Sequence, residues 1–115
     1  MDTTEDMDAA RRFAQLVTEH LDVDEVFLFG SCVTGRATED SDIDLAVIVH
    51  EIEGDILEAK TQLFRWRHEI DVRLEPLLLE STRDFRGFLE HIRTSGIELY
   101  PEDKAGSHAR PSGLR

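Results

Sequence analysis

The spacing of apolar positions switches along this chain between helical and strand-like periods, and the switches mark its elements. Asp8 to Leu21 places Ala9, Phe13, Leu16, Val17 and Leu21 at helical intervals, which predicts an amphipathic helix with Asp8 as its cap. Val23 to Phe29 is short and rich in valine and phenylalanine, so it reads as a strand ending at Gly30. Ser31 to Arg36 is expected to form a short helix, followed by a polar loop at Thr38-Glu39-Asp40-Ser41. Ile43 to Val49 then reads as a second strand. Its run Leu45-Ala46-Val47-Ile48-Val49 is apolar on both faces, the mark of a strand central in its sheet.

Gly54-Asp55 precedes a second amphipathic helix that carries Ile56, Leu57, Leu63 and Phe64, with Lys60 and Arg67 as snorkelling edges. Glu69 to Glu75 alternates, with Ile70, Val72 and Leu74 on one side and Asp71, Arg73 and Glu75 on the other. This predicts a half-exposed strand ended by Pro76. Ser81 is expected to cap a helix containing Phe85, Phe88, Leu89 and Ile92, closed by Gly96, and Ile97 to Tyr100 is a short extended piece. From Pro101 onward no apolar period remains, so 101–115 is expected to be a disordered tail behind a folded 1–100. The order is α-β-α-β-α-β-α, an α+β arrangement without internal repeats.

Composition narrows this picture. A chain of 115 residues with 40% hydrophobic content suits one globular domain, with no room for a second, substrate-binding one. No apolar run approaches the roughly 18 residues of a membrane span, and the acidic start MDTTEDMDAARR lacks the apolar stretch of a signal peptide. Cys32 is the sole cysteine, which excludes an internal disulfide and a cysteine-rich zinc site. A cytoplasmic location is the expectation. The net charge of −12 argues against direct binding of nucleic acid across the surface. Two lysines stand against eleven arginines and 25 acids, a balance found in salt-rich cytoplasm and also favoured by GC-rich genomes. Such a surface is either simply solvated or a face for a basic partner.

The chemistry concentrates between Val26 and Val49, in VFLFGSCVTGRATEDSDIDLAVIV. Gly30 lets backbone approach a phosphate closely, and Ser31 offers both an amide and a hydroxyl donor. Asp42 and Asp44 stand at i and i+2 of a strand entry, so both carboxylates leave one face. Paired carboxylates suit hard divalent ions such as Mg²⁺, which arrive with nucleotide phosphates. For Gly30-Ser31 and Asp42 to share a site, the two strands should run antiparallel. If the third strand lies beside the second, Asp71 completes a trio of carboxylates able to hold two ions. GS-x10-DxD arises by chance in a chain of this size only about a few times in a thousand, and both halves sit in fitting context. Arg73 reads as a structural ion pair more readily than as a substrate contact. The five histidines show no metal-ligand spacing, and Trp66, Phe64, Phe85 and Phe88 follow helical spacing, as core or partner-facing surface does.

In the form FGSCVTGRATEDSDIDLAV, this motif resembles the signature of the DNA polymerase β-type nucleotidyltransferase superfamily. The short length resembles its minimal branch, whose members pair as antitoxins with HEPN-domain ribonuclease toxins. The resemblance covers roughly Asp8 to Tyr100 and implies a small mixed sheet flanked by helices. It implies that Gly30 and Ser31 bind a nucleoside triphosphate and that Asp42, Asp44 and Asp71 ligate two Mg²⁺ ions, with Mn²⁺ as a substitute. It also implies AMP transfer from ATP to a tyrosine of the HEPN partner in a hetero-oligomer. Members commonly read GSxARG; here Cys32 and Thr34 stand in those positions, Gly35 is retained and Arg36 follows. Arg36 either reaches the phosphates or pairs with Glu39 or Asp40. Two other functions fit the same motif. One is an antitoxin that neutralises by binding alone. The other is a small-molecule nucleotidyltransferase of the antibiotic-modifying kind, with a separate substrate-binding subunit.

Overall fold

The computed structural model describes residues 3–30, 42–52, 54–83 and 86–101. In order these give α1 (Thr3–His20), β1 (Glu25–Phe29), β2 (Ile43–Val49), α2 (Ile56–Arg67), β3 (Leu74–Glu80), α3 (Phe88–Ser95) and β4 (Ile97–Tyr100). The expected helix at Ser31–Arg36 and the expected tail beyond Pro101 lie outside the described residues. The four strands form one mixed sheet in the order β3-β2-β1-β4. β1 runs antiparallel to both β2 and β4, while β2 and β3 are parallel. As the double-sided apolar run of β2 implied, that strand lies inside the sheet.

Alternation along the strands sorts the core into two layers. On one face Val26, Leu28, Ile43, Leu45, Val47, Leu74 and Leu78 meet Phe13 and Val17 of α1 and Leu63 of α2. On the other, Phe27, Ala46 and Ile48 meet Leu89 and Ile92 of α3. Each large side chain so buried contributes about 1.5–3 kcal/mol. Gly96 lets α3 turn directly into β4, because a Cβ there would lie 2.7 Å from the Ile92 carbonyl and 2.9 Å from that of Leu28.

Three boundaries depart from the sequence reading. α1 starts at Thr3, so Asp8 lies within the helix and is not its cap; Glu5 and Asp6 occupy the first turn, where carboxylates complement the amide dipoles. α3 starts at Phe88 behind Gly87, which adopts φ 72° and offers no side-chain cap, while the amide of Ser81 bonds the Val49 carbonyl at 2.8 Å. The third departure matters most. β3 spans Leu74–Glu80 rather than Glu69–Glu75, and Pro76 sits inside it. The alternation at Ile70, Val72 and Leu74 belongs instead to a stepwise unwinding of α2. His68, Glu69 and Ile70 donate to the carbonyls three residues back, and Leu74 donates to Asp71 at 3.0 Å.

Pro76 is tolerated for a geometric reason. The Arg73 carbonyl accepts from Ile43 and the Ser81 amide donates to Val49, both at 2.8 Å, so the odd-numbered residues of this segment face β2. The even-numbered ones face the open edge of the sheet. A missing N–H at Pro76 therefore costs no ladder bond.

Candidate active site

Asp44 is the second residue of β2 and the one position of that strand that is not buried. Its neighbours follow from the sheet register. Phe29 of β1 stands opposite it on one side, and Glu75 of β3 on the other. Asp42, two residues earlier, leaves the same face by strand alternation. Gly30 follows Phe29 with φ 83°, a left-handed conformation that side chains disfavour. A Cβ at Gly30 would overlap the Asp44 Oδ2 and lie 3.1 Å from its Cγ, so the glycine turn is packed against the carboxylate. The two halves of the sequence motif thus meet, through the antiparallel pairing the motif demands.

Burial pushes the Asp44 carboxyl up from its ordinary value, and the charges of Asp42 and Glu75 push it further. A carboxylate held at such a cost is suited to a cation that would relieve it.

Asp71 takes another place. It precedes β3, and its carboxylate accepts from the Arg73 backbone amide at 2.9 Å and from Arg73 Nη2 at 3.1 Å. These bonds hold its pKa below the usual range. Arg73 Nη2 also reaches Asp6 of α1 at 2.9 Å, and the Asp6 side chain is only 3% exposed. Arg73 is therefore the structural ion pair that its sequence suggested, and Asp71 is half of it. The residue in register with Asp44 is Glu75.

Glu75 is the site residue that sequence reading missed, and a signal for it exists. Leu74-Glu75-Pro76-Leu77-Leu78-Leu79 repeats the design of Ile43-Asp44-Leu45-Ala46-Val47-Ile48, with an acid second in an otherwise apolar strand. Parallel pairing with Ile43 opposite Leu74 sets the two acids side by side. Arg67 of α2 holds Glu75: its Nη1 donates to Glu75 Oε2 at 3.3 Å and to the Leu74 carbonyl at 2.9 Å. Ser31, Cys32, Thr34 and Arg36 lie outside the described residues.

Hard oxygen donors on adjacent strands are the donor set a magnesium ion takes. Among the described residues, no three His, Cys, Asp or Glu side chains are drawn together closely enough to enclose an ion. Asp42, Asp44 and Glu75 are the residues that would hold such an ion, by the chemistry of their oxygens and their place on one face of adjacent strands. His20 packs against Trp66 with ring centres 4.9 Å apart, away from any such set.

A mixed sheet that gathers carboxylates beside a tight glycine turn, with helices on both faces, defines a small α+β nucleotidyl-transfer domain. Residues 12–105 match the family model for polymerase β nucleotidyltransferases, and the chain belongs to that family. Domains of this family generally use divalent metal and a nucleoside triphosphate. The fold is similar to a crystal structure from Sulfolobus solfataricus named as a nucleotidyltransferase. The TM-score is 0.61 at 17% identity, covering 86% of this chain and 83% of that one. No curated protein matches the sequence. Among the described residues no helix is long and apolar enough to cross a membrane.

Proposed function

We propose that this protein transfers AMP from ATP to a tyrosine hydroxyl of a partner HEPN ribonuclease toxin, and so acts as its antitoxin. The observation that carries the reading is the placement of Asp44 between the Gly30 turn and Glu75, with Asp42 on the same face. In this reading Gly30, with Ser31 and Arg36, receives the triphosphate, and Asp42, Asp44 and Glu75 hold the metal. Glu75 takes the role first expected of Asp71. The bound metal supplies positive charge at the phosphates and lowers the pKa of the attacking hydroxyl. The hydroxyl oxygen attacks the α-phosphorus in line, the bond to the bridging oxygen breaks, and pyrophosphate leaves. The hydroxyl proton passes to the carboxylate cluster. Most of the rate then comes from positioning and charge.

A protein acceptor is favoured by the exposed apolar surface of α2 and the turn after it. Ile56, Leu57 and Phe64 of α2 and Val72 in the turn after it are exposed large apolar side chains, four of the six among the described residues. Together they give a partner an apolar seat, which Phe64 links to Arg67 through its ring. A cytoplasmic complex of the two proteins follows from this reading.

Intact mass of the co-expressed toxin, with and without ATP and Mg²⁺, tests it. An AMP-sized increment is expected, lost in the double variant Asp42→Asn, Asp44→Asn. If that variant still binds the toxin and still protects cells, neutralisation is by binding alone. Modification of a small alcohol or amine without any protein partner would point to the antibiotic-modifying kind.

A further inference from the structure

Arg67 is placed unlike any other cation among the described residues. It sits at the last turn of α2, and its guanidinium reaches across to the first two residues of β3. One nitrogen, Nη1, does two things at once. It bonds the backbone at the Leu74 carbonyl, which fixes it to the strand, and it bonds Oε2 of Glu75, whose backbone lies in register with Asp44. The Leu74 carbonyl is one of the outward-facing groups on the open edge of the sheet, so no further strand among the described residues competes for it. The central carbon of the guanidinium, Cζ, lies over the Phe64 ring, 4.8 Å from its centre.

The geometry is not the one Arg67 would choose for its own sake. Its Nε–H is buried without a hydrogen-bond partner. A buried donor left in that state carries the desolvation penalty of an unmade hydrogen bond. The stack on Phe64 and the two Nη1 bonds hold the group in place against that cost. What the arrangement achieves is to fix one oxygen of an otherwise mobile glutamate. The Glu75 side chain is 43% exposed, and Arg67 is its hydrogen-bonding partner among the described residues, which leaves Oε1 available on the face of Asp44. Carboxylates that ligate metals are commonly oriented through their second oxygen in this way, and loss of the orienting group typically weakens metal binding about 10–100-fold.

We propose that Arg67 is a positioning residue, which anchors Glu75 Oε2 to the β3 backbone so that Oε1 can join Asp44 and Asp42 at a divalent cation. The inference rests on the nucleotidyl-transfer reading of this site and adds to it the residue that sets the third ligand. In this role Arg67 acts through Glu75 alone. Its role depends on the planar guanidinium stacked on Phe64, which fixes where Nη1 points; a lysine ammonium at the end of a flexible stem has no such plane to hold it.

Charge and geometry would pull in opposite directions in a neutral variant, since removing a cation also makes the site more attractive to metal. Arg67→Lys keeps the charge and removes the stacked plane that aims Nη1. The experiment is titration of the isolated protein with Mn²⁺ alone, followed by loss of the free-ion electron paramagnetic resonance signal. Wild type, Arg67→Lys and Asp44→Asn are compared, and melting of the metal-free proteins confirms that each is folded. The expected result is saturable binding in wild type, binding about tenfold weaker in Arg67→Lys, and none at the same site in Asp44→Asn. Arg67→Lys binding within twofold of wild type, or tighter, overturns the role given to Arg67 and leaves the site itself standing. Wild type without saturable binding overturns the site reading and Arg67 with it.

Discussion

Replacing Arg73 by methionine should be among the most destabilising single changes outside the apolar core. The guanidinium lies 2.9 Å from Asp6 and 3.1 Å from Asp71, and the three side chains are 27%, 3% and 26% exposed for Arg73, Asp6 and Asp71. Breaking a fully buried ion pair from one side costs about 3–5 kcal/mol, because a charge stays behind without its counter-ion. Water reaches Arg73 and Asp71 in part, so the expected loss is lower, about 2–4 kcal/mol. At about 4–8 °C per kcal/mol for a domain near this size, melting should fall by about 8–32 °C. The loss should change little between low and high salt, since the Asp6 end of the network is shielded from ions. Pairing Arg73→Met with Asp6→Leu should recover part of it, because apolar groups filling both positions leave no buried charge. Thermal and urea melts of the two singles and the double give the coupling directly. A loss below about 0.5 kcal/mol in Arg73→Met, the range of an ordinary surface change, would refute the reasoning.

Acid should act through the same network. The folded-state pKa of Asp71 lies below its unfolded value, so its contribution is present above about pH 4 and is lost as pH falls through the lowered value, as the acid limb of a melting-versus-pH curve will show; Asp71→Asn should flatten that limb. Asp44 has the opposite sign: its folded pKa is raised, so its contribution favours folding at low pH and disappears as pH rises through the raised value. At neutral pH without metal, Asp44→Asn should therefore stabilise the protein by about 0.5–2 kcal/mol while abolishing nucleotidyl transfer, a combination seen by melting beside an activity assay. Gly30→Ala should cost stability by about 1–2 kcal/mol for its left-handed backbone. Because the added methyl displaces the Asp44 carboxylate, Mn²⁺ binding should fall far more than melting does.

Local signals carried most of this architecture. The helical spacing of Phe13 and Val17 and of Ile56, Leu63 and Phe64 located α1 and α2. The unbroken run Leu45–Val49 placed β2 inside the sheet, and the motif's own logic required β1 and β2 to be antiparallel. The reading failed between Glu69 and Pro76, where two rules competed. Alternation at Ile70, Val72 and Leu74 points to a strand, and a proline at 76 is the usual end of one. What decided the outcome was non-local. The apolar run Leu77-Leu78-Leu79 needs burial against β2, and Pro76 escapes penalty only because β3 is an edge strand, a fact of sheet order. That shift of a few residues exchanges Asp71 for Glu75 as the acid beside Asp44. Arg67 was legible as the snorkelling edge of α2, but its grip on Glu75 depends on where β3 begins.

The site also sits where the fold can bear its cost. β2 is buried at six of its seven positions, and the exception is Asp44, at the end of the strand nearest the Gly30 turn. On that face α3 covers Phe27, Ala46 and Ile48 through Leu89 and Ile92, toward the opposite end of β2. The opposite face is sealed by α1 and α2 along the strand's whole length. Stability is thus supplied by one continuous core and by the Asp6–Arg73–Asp71 tie, while repelling carboxylates occupy the stretch of the other face that α3 leaves open. A larger side chain at Leu77, which is 37% exposed on that open face, should therefore be tolerated by the fold. By the same geometry it should obstruct whatever enters beside Glu75, its neighbour two residues earlier on the same side of the strand.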